Sequence, residues 1–101
     1  MEVLLVHKTV GVLPPEMMKT GMEMGRKLIA KPEEFVPRGK ILYSVAALNS
    51  WMLVCLWDVP SVDVLVPVTE QMKMVGWDTD IIPVEKTEVW LSKLEKAQAK
   101  R

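Results

Sequence analysis

Two runs of strand-forming residues, ILYSVAAL at 41–48 and WMLVCLWD at 51–58, stand with only Asn49-Ser50 between them. So short a connection has no room for the crossover that parallel neighbours need, which leaves an antiparallel hairpin. Any fold open to this chain must contain it. With a two-residue loop, Leu48 faces Trp51, Ala46 faces Leu53, Ser44 faces Cys55 and Leu42 faces Trp57. Tyr43, Val45, Ala47, Met52, Val54 and Leu56 then lie on the opposite face, because side chains alternate along a strand. A loop one residue longer or shorter would exchange the two faces.

The flanking segments decide what the hairpin joins. Residues 2–9, EVLLVHKT, are aliphatic and β-branched and end before Gly11 and the Pro14-Pro15 pair, which marks a strand. Val3, Leu5 and His7 share one face, Leu4 and Val6 the other. Apolar residues on both faces suit a central strand or a sheet covered twice. Pro14 and Pro15 open a helix, where a missing N–H costs nothing. Met17, Met18, Gly21, Met24, Gly25, Leu28 and Ile29 then recur at three- and four-residue spacing. Pro32 ends this helix by disfavouring the α conformation at Lys31, and a loop with Phe35 tucked beneath it runs to Lys40.

Ser61 suits the N-cap of a second helix running to about Val75, with Gly76 as its stop. Pro67 within it either kinks the helix or marks its true first turn. Residues 78–86 read as a fourth strand, which Pro83 assigns to a sheet edge because proline offers no ladder donor. Thr87 caps a last helix over 87–101, in which Val89, Trp90, Leu91 and Leu94 pack and the KLEKAQAKR end is solvated. No repeat or linker divides the chain, so residues 1–101 read as one domain.

Strand, helix, hairpin, helix, strand and terminal helix make an α+β domain, a ferredoxin-like βαββαβ unit with a four-stranded antiparallel sheet. Its two crossover helices cover one sheet face. The apolar content of the other face calls for a second cover, and a second copy supplies it, giving a homodimer in the form of a dimeric α/β barrel. The trailing helix then caps the barrel or reaches across to the partner. LLVHKTVG, VCLWDVPSVDVL and IIPVEK together resemble the dimeric α/β-barrel superfamily across most of residues 2–86. They are most similar to short uncharacterised members, including a family that contains a nickel-binding protein. The resemblance implies fold and dimerisation more than chemistry, since the superfamily spans cofactor-free monooxygenases, muconolactone isomerases and haem-degrading proteins. The nickel-binding relatives carry further histidines where this chain has only His7, so neither a metal nor a cofactor is expected.

Composition narrows the partners. Lys plus Arg and Asp plus Glu both number 13, so the formal net charge is zero, without the basic excess that nucleic-acid binding requires. RNA-recognition modules share the topology but need exposed aromatics in a basic sheet, unlike these apolar strands. The N-terminus lacks the basic start of a signal peptide, and nothing approaches the ~20 apolar residues of a membrane span. A single cysteine, Cys55, excludes an internal disulfide and fits a reducing cytoplasm. The expectation is a cytoplasmic protein bound to neither nucleic acid nor membrane.

His7 is the one side chain that titrates near neutrality without a shift, so it is the candidate proton acceptor, against the simpler role of a satisfied core histidine. Cys55 lies mid-strand, where a free cysteine is ordinarily a small apolar residue; a nucleophilic thiolate needs a nearby cation. Trp51 and Trp57 share a face with Ser44 and Cys55, an arrangement suited to an apolar pocket or a dimer interface. With Tyr43, these residues form the candidate ligand-binding set. Met17, Met18, Met24, Met72 and Met74 fall at helical core spacing, and Asp58, Asp78 and Asp80 at strand ends. Phosphate loops, HExxH and nucleophile elbows are absent from the sequence. Two functions remain open. One is a homodimer binding a small apolar or aromatic molecule in the barrel cavity, with a cofactor-free isomerase or monooxygenase using His7 as its enzymatic form. The other is a non-enzymatic structural or regulatory interaction protein.

Overall fold

The hairpin forms with the parity its spacing requires. In the structure, a computed structural model that describes residues 1–99, strands β2 (Lys40–Ala46) and β3 (Met52–Asp58) pair antiparallel with Ser44 opposite Cys55 and Ala46 opposite Leu53. Two details differ from a two-residue loop closing a regular ladder. Pairing stops at Ala46 and Leu53, so the turn takes in residues 47–51, although the Ala47 N–H still donates to the Met52 carbonyl at 3.0 Å. At the far end a bulge at Leu42 places Ile41, not Leu42, opposite Trp57, and Tyr43 opposite Leu56. The extra residue lets Ile41 pack against the core while Leu42 stays 42% exposed.

Around the hairpin run β1 (Glu2–Thr9), α1 (Pro15–Ala30), α2 (Val66–Met74), β4 (Trp77–Val84) and α3 (Thr87–Ala99). The sheet order is β2-β3-β1-β4 with every neighbour antiparallel. This is the ferredoxin-like βαββαβ arrangement with an extra C-terminal helix. β1 is central, as its two apolar faces predict, and Pro83 lies on an edge strand, where a missing donor leaves no ladder bond unmade. Lys100 and Arg101, the end of the expected solvated tail, lie outside the described residues.

Local chemistry sets the helix ends. Pro67 occupies the first turn of α2 and no kink results; a separate 3-10 turn, Val62–Leu65, precedes the helix. Ser61 stands at the head of that turn in an extended conformation, and its side chain makes no capping bond. Gly76 follows α2 with φ +86°, a conformation that favours glycine, and a Cβ there would sit 2.7 Å from Leu13 Cδ2. At α3 the Lys86 carbonyl, rather than Thr87, accepts the first N–H bonds, from Val89 at 3.0 Å and Trp90 at 3.1 Å.

The core lies between the helices and one sheet face. Val3 and Leu5 of β1 and Cys55 and Trp57 of β3 are buried there with Leu28, Leu65, Val68 and Met72. Phe35 is half-buried against this core, as expected. The methionine pattern needs correction. Met17 is 37% and Met74 80% exposed, and Ile29 is also exposed. Met74 is two residues from the buried Met72, which turns it to the far side of α2.

The other sheet face carries Leu4, Val6, Val54 and Leu56, all half-buried, flanked by exposed Tyr43, Val45 and Ile82. α3 buries no residue: Val89, Trp90, Leu91 and Leu94, expected to pack, are between 41% and 51% exposed. The helix follows an edge strand and lies at the periphery of a molecule measuring 57 × 30 × 20 Å, where Trp90 borders Met1, Pro83 and Val84.

Candidate functional site

The alternation of β1 and β3 divides the candidate residues. His7, Cys55 and Trp57 point to the helix side and are fully buried. Tyr43, opposite Leu56, belongs to the open face and is 64% exposed. Trp51 precedes β3 at the hairpin tip and is 55% exposed. The structure therefore joins three of the five in the core, sets Trp51 at its margin and places Tyr43 on the far side of the sheet.

His7 stands between Leu53 of β3 and Thr79 of β4. Its Nδ1 shares a 2.7 Å hydrogen bond with the Thr79 hydroxyl, while Nε2 is buried without a partner. Burial lowers its pKa to about 4, because a charged imidazolium would lose its hydration. At neutral pH the ring is uncharged. Thr79 accepting from Nδ1–H leaves a lone pair on Nε2, whereas the other tautomer would bury an N–H with nothing to accept it. The first costs less, since orphaned donors are the rarer burial.

The Cys55 thiol is raised above its ordinary pKa by burial, a shift that its 3.5 Å contact with Ser44 Oγ only partly opposes. It stays protonated at neutral pH, and a thiol in that state is a weak nucleophile. Trp57 Nε1 and Trp77 Nε1 are likewise buried without partners. Among the described residues, these three orphaned polar atoms all belong to residues facing the helix side of the sheet.

A cleft of about 550 Å³ opens on this same side, between α1 and the tip of the β2–β3 hairpin. One wall is the glycine pair Gly21 and Gly25, a turn apart on α1; the other is Ala46, Trp51 and Leu53. Met72 and the Trp77 ring complete it. Gly21 is needed because Trp77 approaches α1 closely: a Cβ there would sit 2.7 Å from Trp77 Nε1. Gly25 meets nothing within 4 Å, so its missing side chain leaves open space. Of the candidate residues, only Trp51 lines the cleft, and His7 lies one strand over from its wall at Leu53.

Gly21, Gly25, Leu53, Met72 and Trp77 were not among the residues expected to form a site. The signal available in the sequence was two glycines four residues apart in an otherwise bulky helical stripe. Each removes a side chain from one face of α1, which makes a concavity if that face meets a strand hairpin.

Among the described residues, no three His, Cys, Asp or Glu side chains come together as a metal-binding group, and no helix is long and apolar enough to cross a membrane. No protein-family model matches the chain, and no curated protein matches it at a significant level.

Proposed function

We propose that this chain is a homodimer of the dimeric α/β-barrel type that binds a small, largely apolar or aromatic molecule beside its helix-side core. The cleft between Gly21/Gly25 and Trp51/Leu53 is the observation that carries this reading. At about 550 Å³ it falls in the range of small-molecule sites, and its walls are mostly apolar with two large aromatic rings, Trp51 and Trp77. Pairing of the open sheet faces would bury Leu4, Val6, Val54 and Leu56 while leaving this cleft free.

The binding half is tested by thermal shift with a panel of two-ring aromatic fragments, naphthalene derivatives among them. Ligand that binds only the folded state raises Tm by mass action. Stabilising fragments should lose most of their shift on Trp51→Ala, which truncates an exposed ring and leaves the core intact. A panel without any stabilising fragment, or shifts identical in Trp51→Ala, would count against the cleft.

A second reading, a cofactor-free isomerase or monooxygenase with His7 as proton acceptor, is supported by the neutral imidazole with an unpartnered Nε2. A base with a pKa of about 4 is poorly matched to proton abstraction at neutral pH, however. Binding without chemistry is therefore favoured. His7→Gln separates the two: a fragment that keeps its thermal shift but ceases to be turned over would assign the base. In the non-enzymatic alternative, the open sheet face serves self-association or a regulatory contact, and the cleft binds nothing.

A further inference from the structure

α3 presents a problem of stability. Trp90, Leu91, Leu94 and Ala97 recur at i, i+1, i+4 and i+7 and form one apolar face, opposite Glu88, Ser92, Glu95 and Lys96. A helix of 13 residues is marginal in water unless such a face is packed. Yet α3 buries no residue: Trp90 only borders an open cleft with Met1, Pro83 and Val84 and stays half exposed, and the ion pair from Lys93 Nζ to Glu85 Oε2 at 2.7 Å is itself exposed. Exposed pairs of this kind contribute little.

The size of the exposed surface indicates what covers it. The chain exposes 7251 Å², whereas a compact monomer of 11.5 kDa exposes about 5,800 Å². The excess, roughly 1,450 Å², is larger than the ~800 Å² each partner contributes to a standard interface, so an interface of ordinary size would fit within it. The radius of gyration, 16.0 Å, likewise exceeds the ~13 Å of a compact chain this long. One chain thus carries both an unpacked amphipathic helix and an uncovered sheet face. A symmetric pair satisfies both with the same operation.

We infer that α3 is an exchanged arm, docking its Trp90–Leu91–Leu94 face on a second copy of this chain along the rim formed by Leu42, Tyr43 and Val45 of β2. The inference rests on the homodimer reading above. Those rim residues are 42%, 64% and 42% exposed, whereas Leu4, Val6, Val54 and Leu56 on the inner strands are half-buried. Packing two sheets face to face about an axis along the strands brings β4 of one copy beside β2 of the other. α3 leaves β4 after only Glu85 and Lys86, so it emerges at the partner's β2 rim; its own β2 lies at the opposite edge of the sheet.

Sedimentation velocity over 0.1–50 µM on the full chain tests this, using wild type, Leu94→Glu, Trp90→Ser, Tyr43→Glu and Met74→Glu. Wild type should sediment at about twice the 11.5 kDa chain mass. Leu94→Glu, Trp90→Ser and Tyr43→Glu should each weaken the dimer at least tenfold. Met74→Glu, at an exposed position on α2, should not. Near-ultraviolet dichroism from buried Trp57 and Trp77 checks that each variant's body is folded. A wild-type monomer throughout would overturn both the homodimer and the arm. A wild-type dimer that Leu94→Glu and Trp90→Ser leave unchanged would overturn the arm alone. Loss of dimer in the α3 variants but not in Tyr43→Glu would overturn the β2 rim as the docking place.

Discussion

Acid should destabilise this protein through His7, in a window its environment defines. Burial holds the folded imidazole's pKa at about 4, below the ordinary value of 6.5. As pH falls through 6.5 the unfolded chain takes up a proton on His7 and the folded chain does not. The unfolded state thus binds more protons across the window, and stability rises with pH there, at up to about 1.4 kcal/mol per unit. The contribution is fully present above pH 6.5, falls by about 3 kcal/mol between there and pH 4, and is constant below. In a domain of this length that lowers Tm by roughly 12–24 °C. Urea unfolding at pH 7.5, 6, 5 and 4 on wild type and His7→Met measures it. Groups common to both proteins cancel in the difference, as does any pH-independent cost of removing the Thr79 bond. The stability of wild type relative to His7→Met should fall by about 3 kcal/mol from pH 7.5 to 4. Parallel curves would refute the burial argument. Because His7 is the only histidine, its single ring Cε1–H resonance gives an independent check: it should not titrate between pH 5.5 and 8.

Cys55 should resist a thiol reagent such as DTNB in the folded state and react fully in denaturant, since its thiol is buried and its pKa raised; stoichiometric labelling of native protein within minutes would contradict that placement. Gly21→Ala should lower stability by about 1–3 kcal/mol, the usual cost of forcing extra volume into a packed site, because the new methyl would meet Trp77 Nε1 at 2.7 Å. Gly25→Ala, with nothing within 4 Å of its Cβ, should be neutral or stabilising by up to about 1 kcal/mol through helix propensity and should still narrow the cleft. Equal Tm values for the two variants would mean that α1 does not approach Trp77 as described.

The hairpin was legible because its constraint is local: with Asn49-Ser50 at the tip, the pairing of Ser44 with Cys55 follows from arithmetic, and the longer turn preserved it. The bulge at Leu42 was not legible, since it answers to how Ile41 packs on Trp57, sixteen residues along the chain and across the sheet. Parity also placed His7 with Val3 and Leu5, and Trp57 with Cys55. It also set Tyr43 apart from the other candidates, but it could not say which parity the helices would cover, and that choice leaves Tyr43 on the open face and the others on the helix side. Similarly, the stripe in α3 shows that the helix needs a surface without saying whose. Met74 was misassigned for a related reason: in a short helix, two methionines two residues apart cannot both face one core, and the sequence did not show which would lose.

Strand β3 carries both of the surfaces on which the proposed function depends, and its period of two keeps them apart. Leu53, Cys55 and Trp57 face the helix side, with Leu53 in the cleft wall; Met52, Val54 and Leu56 carry the alternate positions, where Val54 and Leu56 meet Val6 and Leu4 on the open face. A charge at Val54 or Leu56 therefore acts on association without entering the cleft, and a change at Trp51 or Gly25 acts on the cleft without altering the open face. The barrel reading made ligand binding and dimerisation one question, because a cavity between two sheets exists only in the pair. With the cleft on the helix side they become two questions. A monomeric variant that still binds a fragment at the Trp51 wall would place the site wholly within one chain. A fragment shift lost together with the dimer would mean that the partner completes the site.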